Sequence, residues 1–207
     1  QGEFYRLNNA FLQVKPKQNP HPPIYIGALG QKTRELCGEV ADGWLSWINT
    51  PETYRERLKD VERGASRAGR SLSELDKTAW VHVAINRDRE IARKDATWTS
   101  MMDLIYENEI LRRYGGDNVP PELYSIKQTT LTKEIMIKSK ELCINDPAGV
   151  IDLTSAFGTA EDCIEKLDEY LKAGAEHIIV LNVSQDFRGA LKVFQEDIIP
   201  YFKETKK

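Results

Sequence analysis

The chain has 207 residues, of which 41% are hydrophobic, and its formal net charge is −3 at pH 7. This length and composition predict one ordinary soluble domain with a sizeable core. Because acidic and basic residues are interspersed, no long-range field draws the chain to nucleic acid or to an anionic membrane, and neither partner is expected.

The cysteines indicate a reducing environment. Cys37, Cys143 and Cys163 form no CxxC pair and have no histidine at ligand spacing, so neither a disulfide framework nor a metal site is expected. A cytoplasmic location fits best, because no apolar run approaches the ~20 residues that span a membrane. The chain begins with Gln1 rather than Met, which favours a piece of a longer protein.

The first part of the chain predicts strands that alternate with helices. Residues 1–23 form a lead-in that ends in a stiff pair of prolines, and residues 24–26 follow as a short apolar strand. Residues 31–42 predict a helix and residues 44–48 a second strand. That helix is expected to turn four residues towards the core: Leu36, Cys37, Val40 and Ala41.

The alternation continues with a second helix and a third strand. Thr50 and Pro51 are typical of a helix N-cap and first helical position, and apolar residues recur at spacings of three and four over 54–68. Gly69 stands where a helix C-terminus is expected. Residues 78–86 then predict a strand.

The pattern is less regular over residues 95–157, which we interpret as a helical insertion between a strand and its helix. Alternation resumes at Thr159, an N-cap with Asp162 in the capping-box position. Residues 177–183 predict the fourth strand. The final helix is expected to bury four residues: Leu191, Phe194, Ile198 and Phe202.

Four strands separated by helices predict an α/β fold with a parallel sheet. Four such units are half of a (β/α)₈ barrel, which needs about 250 residues. Four strands cannot close into a barrel, and strand edges left open tend to pair with other chains. The pattern therefore leaves two folds open: a small open α/β sheet, or the C-terminal half of a barrel.

The turn between the first strand and the first helix is a candidate anion site. It combines free backbone N–H groups, the positive end of a helix dipole and a hydroxyl. Small residues let a phosphate come within about 3 Å of main-chain nitrogen. The local sequence favours equally the alternative that the glycines only permit a tight turn. The candidate cofactor-binding residues are Gly27, Ala28, Leu29, Gly30, Gln31 and Thr33.

Several motifs share one resemblance. Residues 22–30 read PPIYIGALG and residues 35–44 read ELCGEVADGW; GEFYRL stands at 2–7, FGTAED at 157–162 and AGA at 173–175. In this order they resemble the luciferase-like flavin and deazaflavin oxidoreductases. Within that family, the motifs are most like those of the branch that includes methylene-tetrahydromethanopterin reductase. The resemblance covers nearly the whole chain and is weakest over 95–150.

The resemblance implies a (β/α)₈ barrel of which this chain supplies the last four strands and helices, preceded by a hairpin within residues 1–23. It implies hydride transfer between bound coenzyme F420, a deazaflavin, or FMN and a small organic substrate. The cofactor phosphate would be held by residues 27–31 and the helix start at Thr33. Catalytic groups of the family come largely from the absent half, so no catalytic residue is predicted.

Two further expectations concern partners and activity. An open half-barrel is expected to be closed by its missing N-terminal half or by a second copy of the chain. The alternative function is a non-catalytic phosphate-, flavin- or partner-binding module derived from the same family.

Four other side chains are candidates with simpler explanations. His82 alternates with Trp80 on one strand face and could point into a barrel mouth, but a hydrogen-bonded interior histidine is favoured. His177 begins a strand and is expected at the opposite end from the site. Trp44 and Trp47 are expected in the core rather than against a cofactor.

Overall fold

The computed structural model describes residues 2–106, 108–115 and 149–204, together with 132–134, 136–138, 141 and 146. Five parallel strands form one sheet. Their bounds are β1 Tyr25–Gly27, β2 Gly43–Ser46, β3 Asp76–Ile85, β4 Ala156–Gly158 and β5 His177–Asn182. The four predicted strands are confirmed within a few residues, and β4 is an additional short strand.

The longest strand, β3, is the centre of the sheet. Thr78 and Ala79 pair with both β2 and β5, so these two strands lie on opposite sides of β3. Val83 pairs with Ala156 of β4 and Asn182 of β5, which puts β4 on the same side as β2, past its C-terminal end. The carboxyl ends of all strands therefore meet at one edge of the sheet.

Helices follow the strands along the chain, and apolar cores form on both faces of β3, one that includes Val81 and Val83 and another that includes Ala84. Their bounds are α1 Gln31–Val40, α2 Pro51–Arg67, α3 Arg89–Tyr106, α4 Asn108–Tyr114, α5 Val150–Thr154, α6 Ala160–Lys172, α7 Phe187–Val193 and α8 Ile199–Glu204. The predicted N-caps at Thr50 and Thr159 are confirmed, and each side chain accepts a backbone N–H of its own first turn. None of the described helices is long and apolar enough to cross a bilayer.

The first helix packs with a different face from the one predicted. Cys37 and Ala41 are buried as expected, but Leu36 and Val40 are exposed. The reason is a close approach of α1 to α2: a Cβ placed on Gly38 would lie 2.0 Å from the Val61 carbonyl oxygen. Small residues thus define the buried face, and a pattern based on large apolar residues selects the wrong one.

The C-terminal helical segment also departs from a constant period. A π-helical turn, Phe194–Ile198, joins α7 to α8, and the Ile199 N–H donates to the Phe194 carbonyl five residues back. Pro200 has no N–H and its ring would collide with a carbonyl of the preceding turn, which favours such widening. Phe194 and Ile198 are buried and Phe202 is half-buried against the core as predicted, whereas Leu191, which precedes this turn, is exposed.

The lead-in and the central region differ from the rest. Residues 2–24 form neither strand nor helix, so the hairpin expected within 1–23 is not formed there. An isolated two-stranded hairpin is marginal without a surface to pack on. Six large apolar side chains of this segment are 70% to 84% exposed: Phe4, Tyr5, Leu7, Phe11, Leu12 and Val14. Within 95–157, α3, α4 and α5 are helical, and much of 116–148 lies outside the described residues.

Candidate functional site

The turn from β1 to α1, residues 27–33, is called the glycine turn below. Gly30 is the N-cap of α1, with φ −84° and ψ 152°, and no side chain caps this end of the helix. The first N–H groups of a helix have no intrahelical acceptor, so those of Gln31, Lys32 and Thr33 are available at the positive end of α1. The first turn of α1 carries no acidic residue that would oppose an anion.

The two glycines of the turn are not explained by packing. A Cβ placed on Gly27 would meet no atom of the described chain within 4 Å, and one on Gly30 would come no closer than 4.0 Å to the Thr33 hydroxyl. Gly30 also has an ordinary negative φ. The alternative that these glycines only permit a tight turn is therefore weakened, because neither conformation nor space within the chain requires them.

The turn is fixed from behind by two hydrogen-bond donors. The Trp44 indole donates to the Ala28 carbonyl at 3.3 Å, and the Arg34 guanidinium donates to the Leu29 carbonyl. Arg34 is itself buried and pairs with Asp60 of α2 at 2.7 and 2.8 Å. The carbonyls of the turn are thus bound inside the protein while the N–H groups of α1 remain free. Sequence reasoning missed Arg34 and Asp60, because charged residues on a helix usually face water.

A cavity of about 480 Å³ lies beside the glycine turn and shares Gly27 and Leu29 with it. Its remaining walls come from the carboxyl ends of β2 and β5, from the middle of β3 and from α3, and they are mostly apolar. These further lining residues are Leu45, Ser46, Trp47, Trp80, Thr99, Asp103 and Leu181. Tertiary folding brings them together, and apart from Trp47 none was singled out in the sequence as a candidate for this position.

One carboxylate faces this cavity among aromatic side chains. Asp103 Oδ2 accepts a hydrogen bond from the Trp47 indole at 3.1 Å and lies 3.0 Å from His82 Nε2. His82 is fully buried, and its approach to Asp103 is close but poorly aligned for a hydrogen bond. Trp80 Nε1 and Ser46 Oγ are also buried without a hydrogen-bond partner in the described chain. Buried polar atoms left in this state are suited to a ligand.

The tryptophan and histidine candidates lie in different parts of the fold. Trp44 is in the core as predicted, stacked on Tyr54 with ring centroids 5.1 Å apart. Trp47 is half-buried: it packs against the second apolar core, as predicted, and it also lines the cavity. His82 is interior as favoured, but the expectation that it is hydrogen-bonded is wrong: neither ring nitrogen has a hydrogen-bond partner in the described chain, and Nε2 lies beside the cavity carboxylate. His177 lies at the amino end of β5, where its Nδ1 is 2.9 Å from Asp76 Oδ2, and it is remote from the glycine turn as predicted.

The described cysteines lie in the core. Cys37 and Cys163 are both free and buried. Burial raises the pKa of the Cys37 thiol to about 11 and that of Cys163 to about 12. Both therefore stay protonated at neutral pH and are poor nucleophiles. Within the described part of the chain, no group of three or more His, Cys, Asp or Glu side chains could hold a metal ion.

Comparison with known proteins identifies the family of this chain. Residues 1–177 match the model of the luciferase-like monooxygenases. A 5,10-methylenetetrahydromethanopterin reductase of Methanopyrus kandleri is 26% identical over 99% of this chain and 57% of its own length. An F420-dependent glucose-6-phosphate dehydrogenase of Nakamurella multipartita is 27% identical over 97% of this chain and 53% of its own length.

Solved structures show the same fold. The coenzyme F420-dependent tetrahydromethanopterin reductase of Methanopyrus kandleri superimposes with a TM-score of 0.79 at 23% identity, covering 98% of this chain and 57% of that one. An F420-dependent secondary alcohol dehydrogenase gives a TM-score of 0.70 at 23% identity, over 95% of this chain and 53% of that one. The chain thus spans little more than half the length of these relatives. Its parallel sheet and helices are half of a barrel-type α/β fold, and the chain belongs to the luciferase-like monooxygenase family.

Proposed function

We propose that this chain is the phosphate-binding half of an oxidoreductase that transfers a hydride between a bound coenzyme F420 or FMN and a small organic substrate. The observation that carries the proposal is the glycine turn: two glycines with empty space before them, at a helix end with free N–H groups, next to a cavity. The family supports the cofactor class, since relatives are named as F420-dependent enzymes.

Each part of the turn has a role in this proposal. The N–H groups of Gln31, Lys32 and Thr33, with the Thr33 hydroxyl, bind the cofactor phosphate. Gly27 and Gly30 leave the space through which the phosphate reaches them. Arg34 and Trp44 keep the turn rigid, so binding costs little ordering. The cofactor supplies the carbon that gives or takes the hydride.

The cavity walls would hold the ring end of the same ligand. Leu45, Trp47 and Trp80 offer apolar and aromatic surface that excludes water, which suits a planar ring. Three features make the chain suitable for such a cofactor: open space beside the two glycines, free N–H groups at the start of α1, and buried polar atoms without hydrogen-bond partners in the described chain.

Closure by the missing half of the barrel is part of the proposal. The edge strand β5 is apolar yet half-exposed, and an apolar groove of about 490 Å³ runs along it. Leu167, Ile178, Phe194 and Phe202 are among its walls. We take residues 1–207 as one domain with 95–157 as a helical insertion, closed by its N-terminal half or, failing that, by a second copy, and working in the cytoplasm.

Cofactor titration of the protein at its natural length tests this function. Coenzyme F420 and FMN are added separately while their fluorescence is monitored, and saturable binding of one of them is expected. Absence of any response to both would contradict the proposal. Binding without turnover of any substrate would favour the non-catalytic module derived from the family.

A second experiment tests closure. Analytical ultracentrifugation of residues 1–207 alone is expected to show association or aggregation through the open edges. A compact, stable monomer would contradict the need for a covering partner, and determining whether about 130 residues precede Gln1 would identify that partner.

A further inference from the structure

The carboxylate of Asp103 is the charged group among the residues that line the cavity in the described chain. Its side chain is 21% exposed. The cavity also contains Gly27 and Leu29 of the glycine turn, so a ligand that reaches from the turn into the cavity passes close to this side chain.

One hydrogen bond orients Asp103, and a histidine nitrogen lies close to the same carboxylate oxygen. The Trp47 indole and His82 Nε2 both approach the same oxygen, Oδ2, at 3.1 and 3.0 Å. The second oxygen, Oδ1, is therefore left for a ligand. Tryptophan and leucine side chains line the same cavity, and a carboxylate beside such apolar surface interacts more strongly with a neighbouring charge than it would in bulk water.

We propose that Asp103 contacts the redox ring of the bound cofactor and keeps a negative charge beside it; this rests on the function proposed above. Repulsion between like charges disfavours every anionic form of the ring. Two consequences follow. The acidic group of the oxidised ring has a raised pKa when bound, and the reduced ring, which carries added negative charge, becomes a stronger hydride donor. Trp47, which donates to the carboxylate, acts as its positioning residue.

The groups that face Asp103 come from each neighbouring element. His82 on β3 is the titratable one, Trp47 follows β2, Thr99 lies one turn earlier on α3 and Leu181 is on β5.

The test uses the protein at its natural length, saturated with coenzyme F420, whose ring hydroxyl changes its absorbance on ionisation. Asp103→Asn keeps the shape of the side chain and removes its charge, so the pKa of the bound ring is expected to fall by at least about 0.5. The midpoint potential of the bound cofactor is expected to rise. Glu90→Gln, an exposed carboxylate on the same helix, is the matched control and is expected to change neither.

Trp47→Phe is expected to change the pKa of the bound ring in the opposite direction. It keeps an aromatic wall but removes the donor to Oδ2, which leaves more negative charge on the carboxylate and raises the pKa of the ring. It also keeps the test decisive if Asp103→Asn fails to fold. An unchanged pKa of the ring in variants that bind the cofactor overturns the role of Asp103 and leaves the proposed function standing. Failure of the unaltered protein to bind coenzyme F420 or FMN overturns both.

Discussion

The chain uses glycine in two places for opposite reasons. In the contact between α1 and α2, a Cβ on Gly64 would lie 1.8 Å from the Glu35 carbonyl oxygen, and one on Gly38 would lie 2.0 Å from that of Val61. In the glycine turn, Cβ atoms on Gly27 and Gly30 would meet open space. Packing requires the first pair, whereas the second pair has a purpose only if something outside the described chain approaches it.

The largest expected effect is the loss of stability when a glycine between α1 and α2 is replaced. Gly64→Ala forces a methyl group into the backbone of the neighbouring helix, so α1 and α2 must separate. We expect the free energy of unfolding to fall by about 3 kcal/mol. Urea denaturation measures the change. A loss below about 0.5 kcal/mol would show that the two helices can adjust and that this contact does not depend on glycine.

Substitution in the glycine turn is expected to change cofactor affinity more than the stability of the fold. Gly30→Val puts a branched side chain in the path of the phosphate, and the loss of one or two charge-assisted hydrogen bonds weakens cofactor binding at least tenfold, at ~1.5–3 kcal/mol each. Stability is expected to fall by less than about 1 kcal/mol, since only the helix cap is altered. Fluorescence titration and thermal melting separate the two effects.

The matched control is Gly69→Ala at the end of α2. Gly69 has a φ of +71°, where a side chain is strained, so this change is expected to cost about 1 kcal/mol of stability and no affinity in the folded fraction. Normal cofactor binding by Gly30→Val, together with a lower melting temperature, would mean that the turn glycines are structural after all.

Features that depend on residues close together in the chain could be predicted from the sequence, and features that depend on distant residues could not. Strands β1, β2, β3 and β5 and the caps at Thr50 and Thr159 could be predicted because they depend on neighbouring residues. The position of the glycine turn could be predicted for the same reason. The cavity could not: Asp103 has the pattern of a solvated helix residue, and only the fold brings it to Trp47 and His82.

Exposure was the other property that sequence patterns misjudged. Leu36 and Val40 were expected inside because they are large and apolar, yet the close approach permitted by Gly38 and Gly64 buries smaller neighbours instead. In β5 the sequence HIIVLN is as apolar as a central strand, but its residues are half-exposed or exposed. An apolar strand with an edge that no described strand covers leaves part of its packing surface unmatched within the described residues.

A smaller effect is expected at the amino ends of the strands, far from the glycine turn. Burial alone raises the pKa of Asp76, but hydrogen bonds from Tyr25 at 2.6 Å and His177 at 2.9 Å lower it below its usual value. The stability this group contributes is present above its unfolded pKa and is lost as the pH falls through its lower folded pKa.

Asp76→Asn therefore is expected to reduce stability by less than about 1 kcal/mol at pH 7, and the difference is expected to shrink below about pH 4. Urea denaturation across this range measures it. A difference that stays constant down to pH 3 would show that ionisation of Asp76 is not the cause. Cofactor affinity at pH 7 is expected to be unchanged, since Asp76 and His177 begin β3 and β5 whereas the glycine turn follows the carboxyl end of β1.

The most direct measurement of the phosphate-binding role compares ligands that differ only in the phosphate. FMN and riboflavin, and coenzyme F420 and its phosphate-free deazaflavin core, are titrated into the protein at its natural length by fluorescence. If the glycine turn holds the phosphate, the phosphate-bearing member of the preferred pair binds at least tenfold more tightly, and Gly30→Val abolishes most of that difference. Equal affinity for both members of the preferred pair would contradict a phosphate site at Gly27–Thr33.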